Sequence, residues 1–98
     1  MRVVWTPSAL SNLDEIQDYI AQDSPAAAYR VILELTTRTR INLGDYPLMG
    51  RTGRSTGTRE LVFPDLPYIV AYRVTEKVEI LTVVHTARDW PEDFPGEV

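Results

Sequence analysis

The spacing of apolar residues near the start of the chain predicts an amphipathic helix. Apolar side chains recur every three or four positions, at Leu10, Leu13, Ile16 and Ile20. This spacing places them on one face of a helix that we expect to end near Gln22. Thr6 and Pro7 are typical of its N-cap and first helical position, since proline needs no hydrogen-bond partner there. The preceding residues, 2–5, predict a short strand.

A second helix is predicted from about Pro25 to Leu43, with Ser24 as its N-cap. Its buried stripe is expected to consist of Ala28, Val31, Ile32, Leu35 and Thr39. We expect Gly44 to end this helix in the left-handed conformation that glycine adopts readily. Because only two or three residues separate the helices, they should form an antiparallel hairpin that packs against a sheet.

Residues 44–57 hold four glycines and one proline and predict a long loop, of a length that is often functional. Three strands are predicted after it, at Arg59–Phe63, Tyr68–Val74 and Val78–Val84. The predicted order is β-α-α-β-β-β, an α+β fold with an antiparallel helix hairpin packed on one face of a mostly antiparallel sheet. Counting chain directions, the first strand can lie antiparallel beside either the second or the fourth strand.

Both faces of this predicted sheet carry apolar side chains. In the last strand, alternation places Val78, Ile80 and Val84 on one face, and it places Leu81 and Val83 on the other. The two helices suffice to cover only one face. The other face is then either a docking surface for another protein or is covered by the long loop and the C-terminal tail.

Length and composition fit one globular domain over residues 1–98, with an acidic, frayed end at 89–98. The chain has 98 residues and a mass of 11.1 kDa, and 44% of its residues are hydrophobic. No apolar run approaches the roughly 20 residues that span a bilayer, and the start lacks a signal-peptide core, so we expect a cytoplasmic protein without membrane contact. With no cysteine and one histidine, we expect neither a metal nor another cofactor.

The net charge of −4 argues against nucleic acid as a direct partner, because the overall field does not attract phosphates. The negative charge is concentrated in the tail, however, and residues 30–59 hold six arginines against two acidic residues. A local basic surface is therefore compatible with the sequence. Arg51 and Arg54 on the long loop either grip a carboxylate or a phosphate or simply keep the loop soluble.

His85 is the only histidine and the obvious candidate for a general acid or base. Alternation places it on the face of Leu81 and Val83. If Arg59 lies on that face too, the pair makes a minimal phosphodiester-cleaving site. Such a site needs a second proton carrier, and Glu60 points to the opposite face by alternation. The alternative is a structural histidine at the end of a strand.

Three later segments, in order and at the right spacing, resemble one family: PLMGRTGRSTGTRELVF, PYIVAYRV and VEILTVVHTARDWP. With the opening VVWTPSALSNLDEIQDYIAQDSPAAA, the similarity to the ParE branch of the RelE/ParE toxins spans residues 2–91. The resemblance implies a toxin of a type II toxin–antitoxin module of the plasmid-stabilisation kind. It also implies a cognate antitoxin that holds the toxin inactive in a hetero-oligomer, with operator DNA bound only through the antitoxin.

Two targets divide this family. ParE-like members block DNA gyrase by binding, whereas RelE-like members cleave messenger RNA on the ribosome. By motif position, Arg59 and His85 would be the catalytic residues of an mRNA endonuclease. The single lysine, Lys77, and the ending HTARDWP favour a gyrase inhibitor that is not an enzyme. A third interpretation is a non-toxic, degenerate partner-binding module.

The residues that we expect to contact the target or the antitoxin lie on the long loop, on the later strands and just after them. They are Arg51, Arg54, Arg59, Leu61, Phe63, Leu81, Val83, His85 and Arg88. Replacing Arg59 or His85 with alanine would separate the two targets, since an endonuclease would lose most of its activity.

Overall fold

The computed structural model describes residues 1–87, which form two helices and a five-stranded mixed sheet. In chain order the elements are β1 (Val3–Trp5), α1 (Pro7–Ala21), α2 (Pro25–Asp45), β2 (Arg51–Thr52), β3 (Arg59–Val62), β4 (Tyr68–Val74) and β5 (Val78–His85). The strands lie in the order β1-β5-β4-β3-β2, and the helices pack on one face. The predicted α+β fold, a helix hairpin on a mostly antiparallel sheet, is confirmed. Neither helix in this part of the chain is long and apolar enough to cross a membrane.

The helices begin and bury their apolar residues largely as the sequence predicts. The Thr6 side-chain oxygen accepts a hydrogen bond from the backbone N–H of Ala9 at 3.3 Å, and its hydroxyl donates to the Ile80 carbonyl at 2.7 Å. The N-cap therefore also ties α1 to β5. Leu10 is half exposed and does not belong to the buried stripe, which consists of Ala9, Leu13 and Ile16. In α2 the predicted stripe is buried at Ala28, Leu35 and Thr39 and partly buried at Val31 and Ile32.

The end of α2 differs from the prediction. Gly44 lies within the helix, and the N–H of Tyr46 still bonds to the carbonyl of Asn42 at 2.7 Å. Among residues 1–87 only Gly57 has a positive φ, of 79°, so the predicted left-handed cap at Gly44 is wrong. The last turn of α2 is stabilised by the start of the chain, because the terminal amine of Met1 donates a hydrogen bond to the Gly44 carbonyl at 2.7 Å.

The long loop contains a short strand that the sequence pattern did not predict. β2 pairs antiparallel with β3, with Arg51 opposite Glu60 and Thr52 opposite Arg59. Because β2 adds one reversal of chain direction before β3, both β3 and β5 run in the same direction as β1. β1 therefore lies beside β5 in a parallel arrangement. The predicted antiparallel pairing of the first strand is wrong, and the predicted element order gains one strand.

A bulge in β5 changes the predicted alternation of its side chains. Between two positions paired with β4, β5 has one residue more, and Leu81 is the extra residue. After this bulge Val83 faces the helices and Val84 faces away from them, so Val83 no longer shares a face with Leu81. A periodicity of two along the sequence cannot reveal a bulge, because the bulge depends on how the neighbouring strand pairs.

The two faces of the sheet differ in their cover. The face under the helices contributes most of the main core, through Leu61, Phe63, Tyr68, Val70, Tyr72, Val78, Ile80 and Val83. The opposite face, called the open face below, carries no helix within residues 1–87. On it Ala71 and Leu81 are fully buried, and Val62 is 42% exposed. Apolar side chains thus occupy both faces, as predicted.

A helix side chain completes the edge of β5. The pairing of β1 ends with Trp5 opposite Ile80, and no other strand within residues 1–87 lies on that side of β5. There the Oδ1 of Asn12 in α1 accepts hydrogen bonds from the backbone N–H of Val83 at 3.0 Å and from the Thr82 hydroxyl at 2.9 Å. These bonds satisfy backbone and side-chain groups that a longer β1 would have covered.

Candidate functional site

The candidate site is the loop between α2 and β3 together with the strand that supports it. We call residues 46–58 the β2 loop, since β2 is its only regular element. Large apolar side chains and arginines stand exposed on it, namely Tyr46, Leu48, Met49, Arg51 and Arg54. Adjacent residues of β3 anchor this loop from both faces of the sheet, because successive side chains of a strand point to opposite faces.

Arg59 anchors the loop from the helix-covered face. It lies opposite Tyr72, whose ring belongs to the main core. Its Nη1 donates to the carbonyl of Gly50 at 2.9 Å and to the carbonyl of Leu48 at 3.2 Å. Arg59, which the sequence suggested as a phosphate ligand, thus uses its guanidinium to hold two loop carbonyls.

Tyr72 anchors the same stretch from within the core. Its hydroxyl oxygen accepts a hydrogen bond from the N–H of Gly50 at 2.8 Å. Burial raises the pKa of the Tyr72 hydroxyl, against the opposing effects of that hydrogen bond and of the Arg59 charge. A Cβ atom on Gly50 would lie 2.5 Å from the hydroxyl oxygen, so only glycine lets the loop approach this closely.

Glu60 anchors the loop from the open face. Its side chain is only 2% exposed, and both carboxylate oxygens are bonded. Oε1 accepts from Nε and Nη2 of Arg51 at 3.1 and 3.0 Å, and Oε2 accepts from the backbone N–H of Arg54 at 3.0 Å. A buried carboxylate is tolerated because it is paired and fully hydrogen-bonded. The Arg51 guanidinium covers it at the surface.

An open groove of about 300 Å³ lies beside this carboxylate. It is lined by Met49, Gly50, Arg51, Glu60, Leu61 and Val62. Met49, which lines the groove, is 50% exposed, and Leu48, its neighbour in the chain, is 61% exposed. Exposed apolar side chains next to paired charges are typical of surfaces that bind proteins.

His85 lies at the end of β5 on the helix-covered face. It shares that face with Val83, as predicted, but not with Leu81, which the bulge moves to the open face. Its ring packs edge-on against Tyr68, with centroids 5.4 Å apart and planes at 89°. Nδ1 accepts a hydrogen bond from the N–H of Ala87 at 3.1 Å, so the neutral ring carries its proton on Nε2.

The structure does not bring Arg59 and His85 together. Arg59 lies opposite Tyr72 on β4, and His85 lies opposite Tyr68 on the same strand. Four residues along a strand and two strand spacings put their Cα atoms about 16 Å apart. The Arg59 side chain also extends toward the β2 loop, at the far edge of the sheet from β5. As placed, the two side chains do not form one phosphodiester-cleaving site.

The other predicted contact residues divide into exposed and buried groups. The exposed ones are Arg51 and Arg54. The buried ones are Leu61, Phe63 and Val83 on the helix-covered face and Leu81 on the open face. Arg88 and the predicted acidic tail lie outside the described residues. Within residues 1–87, no group of three or more His, Cys, Asp or Glu side chains is arranged to hold a metal ion.

Sequence reasoning missed Glu60, Gly50 and Tyr72 as residues of this site. One signal was present for Glu60, which is the only carboxylate in its strand and lies close in sequence to the two loop arginines. Nothing in the sequence indicated the contact between Gly50 and Tyr72, because these residues are 22 positions apart. Such a contact depends on the β2 loop folding back over the sheet.

Comparisons with known proteins agree with this fold. The family model described as the ParE toxin of type II toxin-antitoxin system, parDE, matches residues 3–90. Y4kP of Sinorhizobium fredii (strain NBRC 101917 / NGR234), named as a candidate toxin, is 50% identical over 91 residues, covering 93% of this chain and 94% of that protein. Toxin RelE2 of Caulobacter vibrioides (strain ATCC 19089 / CIP 103742 / CB 15) is 42% identical over 88 residues, covering 89% of this chain and 97% of that protein.

A solved structure leads to the same class. A chain of the chromosomal ParDE TA system from P. aeruginosa matches with a TM-score of 0.78 and 25% identity, covering 87% of this chain and 95% of that chain. The fold is thus that of a small toxin of a toxin–antitoxin module. The chain belongs to the ParE toxin family of type II toxin–antitoxin systems, and the resemblance found in the sequence is confirmed.

Proposed function

We propose that this ParE-family toxin acts by binding and inhibiting DNA gyrase, with no catalytic step of its own. The observation that carries the proposal is the separation of Arg59 from His85. An mRNA endonuclease needs groups that bind phosphate and move protons around one bond. Here Arg59, the candidate phosphate ligand, binds loop carbonyls instead. His85, the candidate acid or base, packs against Tyr68 at the other end of the sheet.

The charge of the chain supports binding to a protein rather than to RNA. The net charge is −4, and Lys77 is the only lysine. Affinity for RNA depends on cations that neutralise phosphates, so an RNA-cleaving protein on the ribosome would need a more basic surface.

A cognate antitoxin is the partner that the family and the ParDE structure support. We propose that it covers exposed apolar side chains of the helices, where Tyr19, Tyr29 and Leu33 are at least half exposed. Operator DNA would then be bound only through the antitoxin. In the cytoplasm such a hetero-oligomeric module would stabilise a plasmid by keeping the toxin inactive while the antitoxin persists.

Supercoiling of relaxed plasmid by purified gyrase and ATP tests the proposal, with the purified toxin titrated in. We expect loss of supercoiling or trapped cleaved plasmid. His85→Ala should inhibit about as well as the parent once its folding is verified, because His85 has a structural role. Unchanged supercoiling in the presence of a folded toxin that arrests growth would overturn the gyrase proposal.

The mRNA endonuclease remains the second candidate because one relative at 42% identity is named RelE2. Its test is cleavage of messenger RNA on translating ribosomes by the parent and by His85→Ala. An enzyme that used His85 as acid or base would lose activity by about 100- to 10,000-fold in that variant. Induction without antitoxin that leaves growth unaffected would instead favour the degenerate, non-toxic module.

A further inference from the structure

We propose that the β2 loop is a preformed recognition loop for the toxin's protein target, and that Glu60 is the residue that positions it. The proposal rests on the proposed function, because the target considered is gyrase. It goes beyond that function by assigning the contact surface and the residue that holds it in shape.

The loop is held in one conformation from both faces of the sheet. On the helix-covered face, Arg59 and Tyr72 bind the carbonyl and the N–H of Gly50. On the open face, Glu60 binds the side chain of Arg51 and the backbone of Arg54. A segment with only two residues of regular structure would otherwise be mobile, since its own hydrogen bonds are few.

The turn at the tip of the loop is closed as well. The N–H of Gly53 donates to the Thr58 carbonyl at 2.8 Å, and the Thr58 hydroxyl donates to the Ser55 carbonyl at 2.6 Å. A Cβ atom on Gly53 would overlap the Thr58 side chain, so the two arms of the turn are in direct contact. The whole stretch is therefore preorganised.

A contribution to stability alone does not explain why a carboxylate is buried at Glu60. A buried ion pair is often no more stabilising than apolar residues of similar size, because desolvation offsets the attraction. What Glu60 provides is geometry, since one oxygen fixes the Arg51 guanidinium and the other fixes the backbone at Arg54. Without it, the Arg51 side chain and the backbone at Arg54 would lose their common anchor, although Arg59 and Tyr72 would still hold the loop at Gly50.

The chemistry of the loop surface favours a folded, acidic protein as its partner. Leu48 and Met49 are at least half exposed beside the exposed arginines, and apolar contact flanked by guanidinium groups suits a protein surface bearing carboxylates. A preformed loop also spares the entropy of ordering on binding, which benefits recognition of a rigid target. We place the antitoxin on the exposed apolar side chains of the helices, so we assign the loop to gyrase and not to the antitoxin.

The test compares three variants in the full-length toxin: Glu60→Gln, Glu60→Ala and the matched control Glu79→Gln. Glu79 also lies on the open face, is 17% exposed and pairs with Arg73 at 2.9 Å, but it does not touch the β2 loop. The readouts are the inducer level that arrests growth, the toxin concentration that halves gyrase supercoiling, the affinity for the purified antitoxin and hydrogen exchange at the Arg54 amide.

We expect Glu60→Ala to need roughly tenfold more toxin for half-inhibition and for growth arrest, as when the binding-competent fraction falls to about a tenth. Glu60→Gln should lose less, because its amide oxygen can still accept a bond from Arg54. Exchange at the Arg54 amide should accelerate in both. Glu79→Gln should match the parent, and all three should bind the antitoxin as tightly as the parent does.

Several results would overturn the proposal, and they separate it from the gyrase proposal. If Glu60→Ala accelerates exchange yet stays fully toxic, the loop does not recognise the target. An equal loss of antitoxin affinity would assign the loop to the antitoxin instead. If the parent arrests growth but leaves gyrase active, the gyrase proposal fails, and the growth comparison still tests the loop against another target. A parent that does not slow growth would refute both.

Discussion

Replacing Gly50 with alanine tests the claim that the β2 loop packs too closely against the sheet for a Cβ atom to fit at this position. A Cβ at this position would lie 2.5 Å from the Tyr72 hydroxyl oxygen, 2.7 Å from Cε1 of the same ring and 2.9 Å from the Glu60 carbonyl oxygen. All three distances are shorter than real Cβ contacts allow. Gly50 does not have a positive φ, so the penalty comes from space and not from backbone conformation.

The magnitude follows from three opposing contributions. Overpacking of a filled site costs about 1–3 kcal/mol. Displacement of the Tyr72 hydroxyl would also weaken its hydrogen bond from Gly50, worth about 1 kcal/mol. In the opposite direction, alanine reduces the conformational entropy of the unfolded chain, which raises the free energy of unfolding by about 0.4–1 kcal/mol. We therefore expect Gly50→Ala to lower the free energy of unfolding by about 1–3.5 kcal/mol, a large share of the roughly 5–15 kcal/mol typical of a domain.

The assay is urea and thermal unfolding followed by circular dichroism, with two further variants. Tyr72→Phe removes the closest atom, so Gly50→Ala should cost about 1 kcal/mol less in that background, with only partial rescue because Cε1 and the Glu60 carbonyl stay close. Gly57→Ala is the matched control. Gly57 has a φ of 79° and open space around it, so its cost of about 1–2 kcal/mol is conformational and should be the same in either background.

Either of two outcomes would refute this reasoning. A Gly50→Ala variant within about 0.5 kcal/mol of the parent, the range usual for neutral surface substitutions, would mean that the loop shifts freely away from the sheet. A cost that is the same with and without the Tyr72 hydroxyl would mean that the ring is not the obstacle.

Three other predictions concern stability. Within residues 1–87 the buried Oγ1 of Thr39 has no hydrogen-bond partner, so Thr39→Val should raise the free energy of unfolding by about 1 kcal/mol in urea titrations. Thr36→Val, which removes a bond to a backbone carbonyl, should not raise it. Gly44 lies inside α2 with room for a Cβ, so Gly44→Ala should raise the melting temperature by a few degrees, at up to about 1 kcal/mol. Hydrogen bonds from arginines hold the pKa of Glu79 and Asp65 below their ordinary values of 4.5 and 3.8. The ion pairs of these two carboxylates therefore stabilise the fold fully above about pH 5, and this stabilisation is lost as the pH falls through and below those values. In unfolding curves measured across pH, Glu79→Gln should lose less stability on acidification than the parent does.

The helices and most strands could be predicted because their signals are local. Thr6 and Ser24 cap the helices as predicted, and the predicted ends of both helices lie within two residues of the observed ends. Apolar spacing of three and four residues dictates which face of a helix is buried, whatever it packs against. The family resemblance also rested on segments that are contiguous in the sequence.

The site itself was predicted only in part. The long loop and its exposed arginines were identified from composition, and the opposite directions of Arg59 and Glu60 followed from alternation. The anchoring roles of these two residues were not predicted, because each is defined by a partner across the loop. Leu61 and Phe63 were predicted to contact the target or the antitoxin, although the helices cover them.

The sequence by itself determined both helices, four of the five strands, the α+β class and the kinship with ParE toxins, since each depends on residues that are neighbours in the chain. Only the tertiary structure decided the strand β2, the parallel pairing of β1 with β5, the bulge at Leu81 and the distance between Arg59 and His85. These features arise from hydrogen bonds and packing between distant segments. Their free energy depends on how those segments meet, which no local pattern encodes.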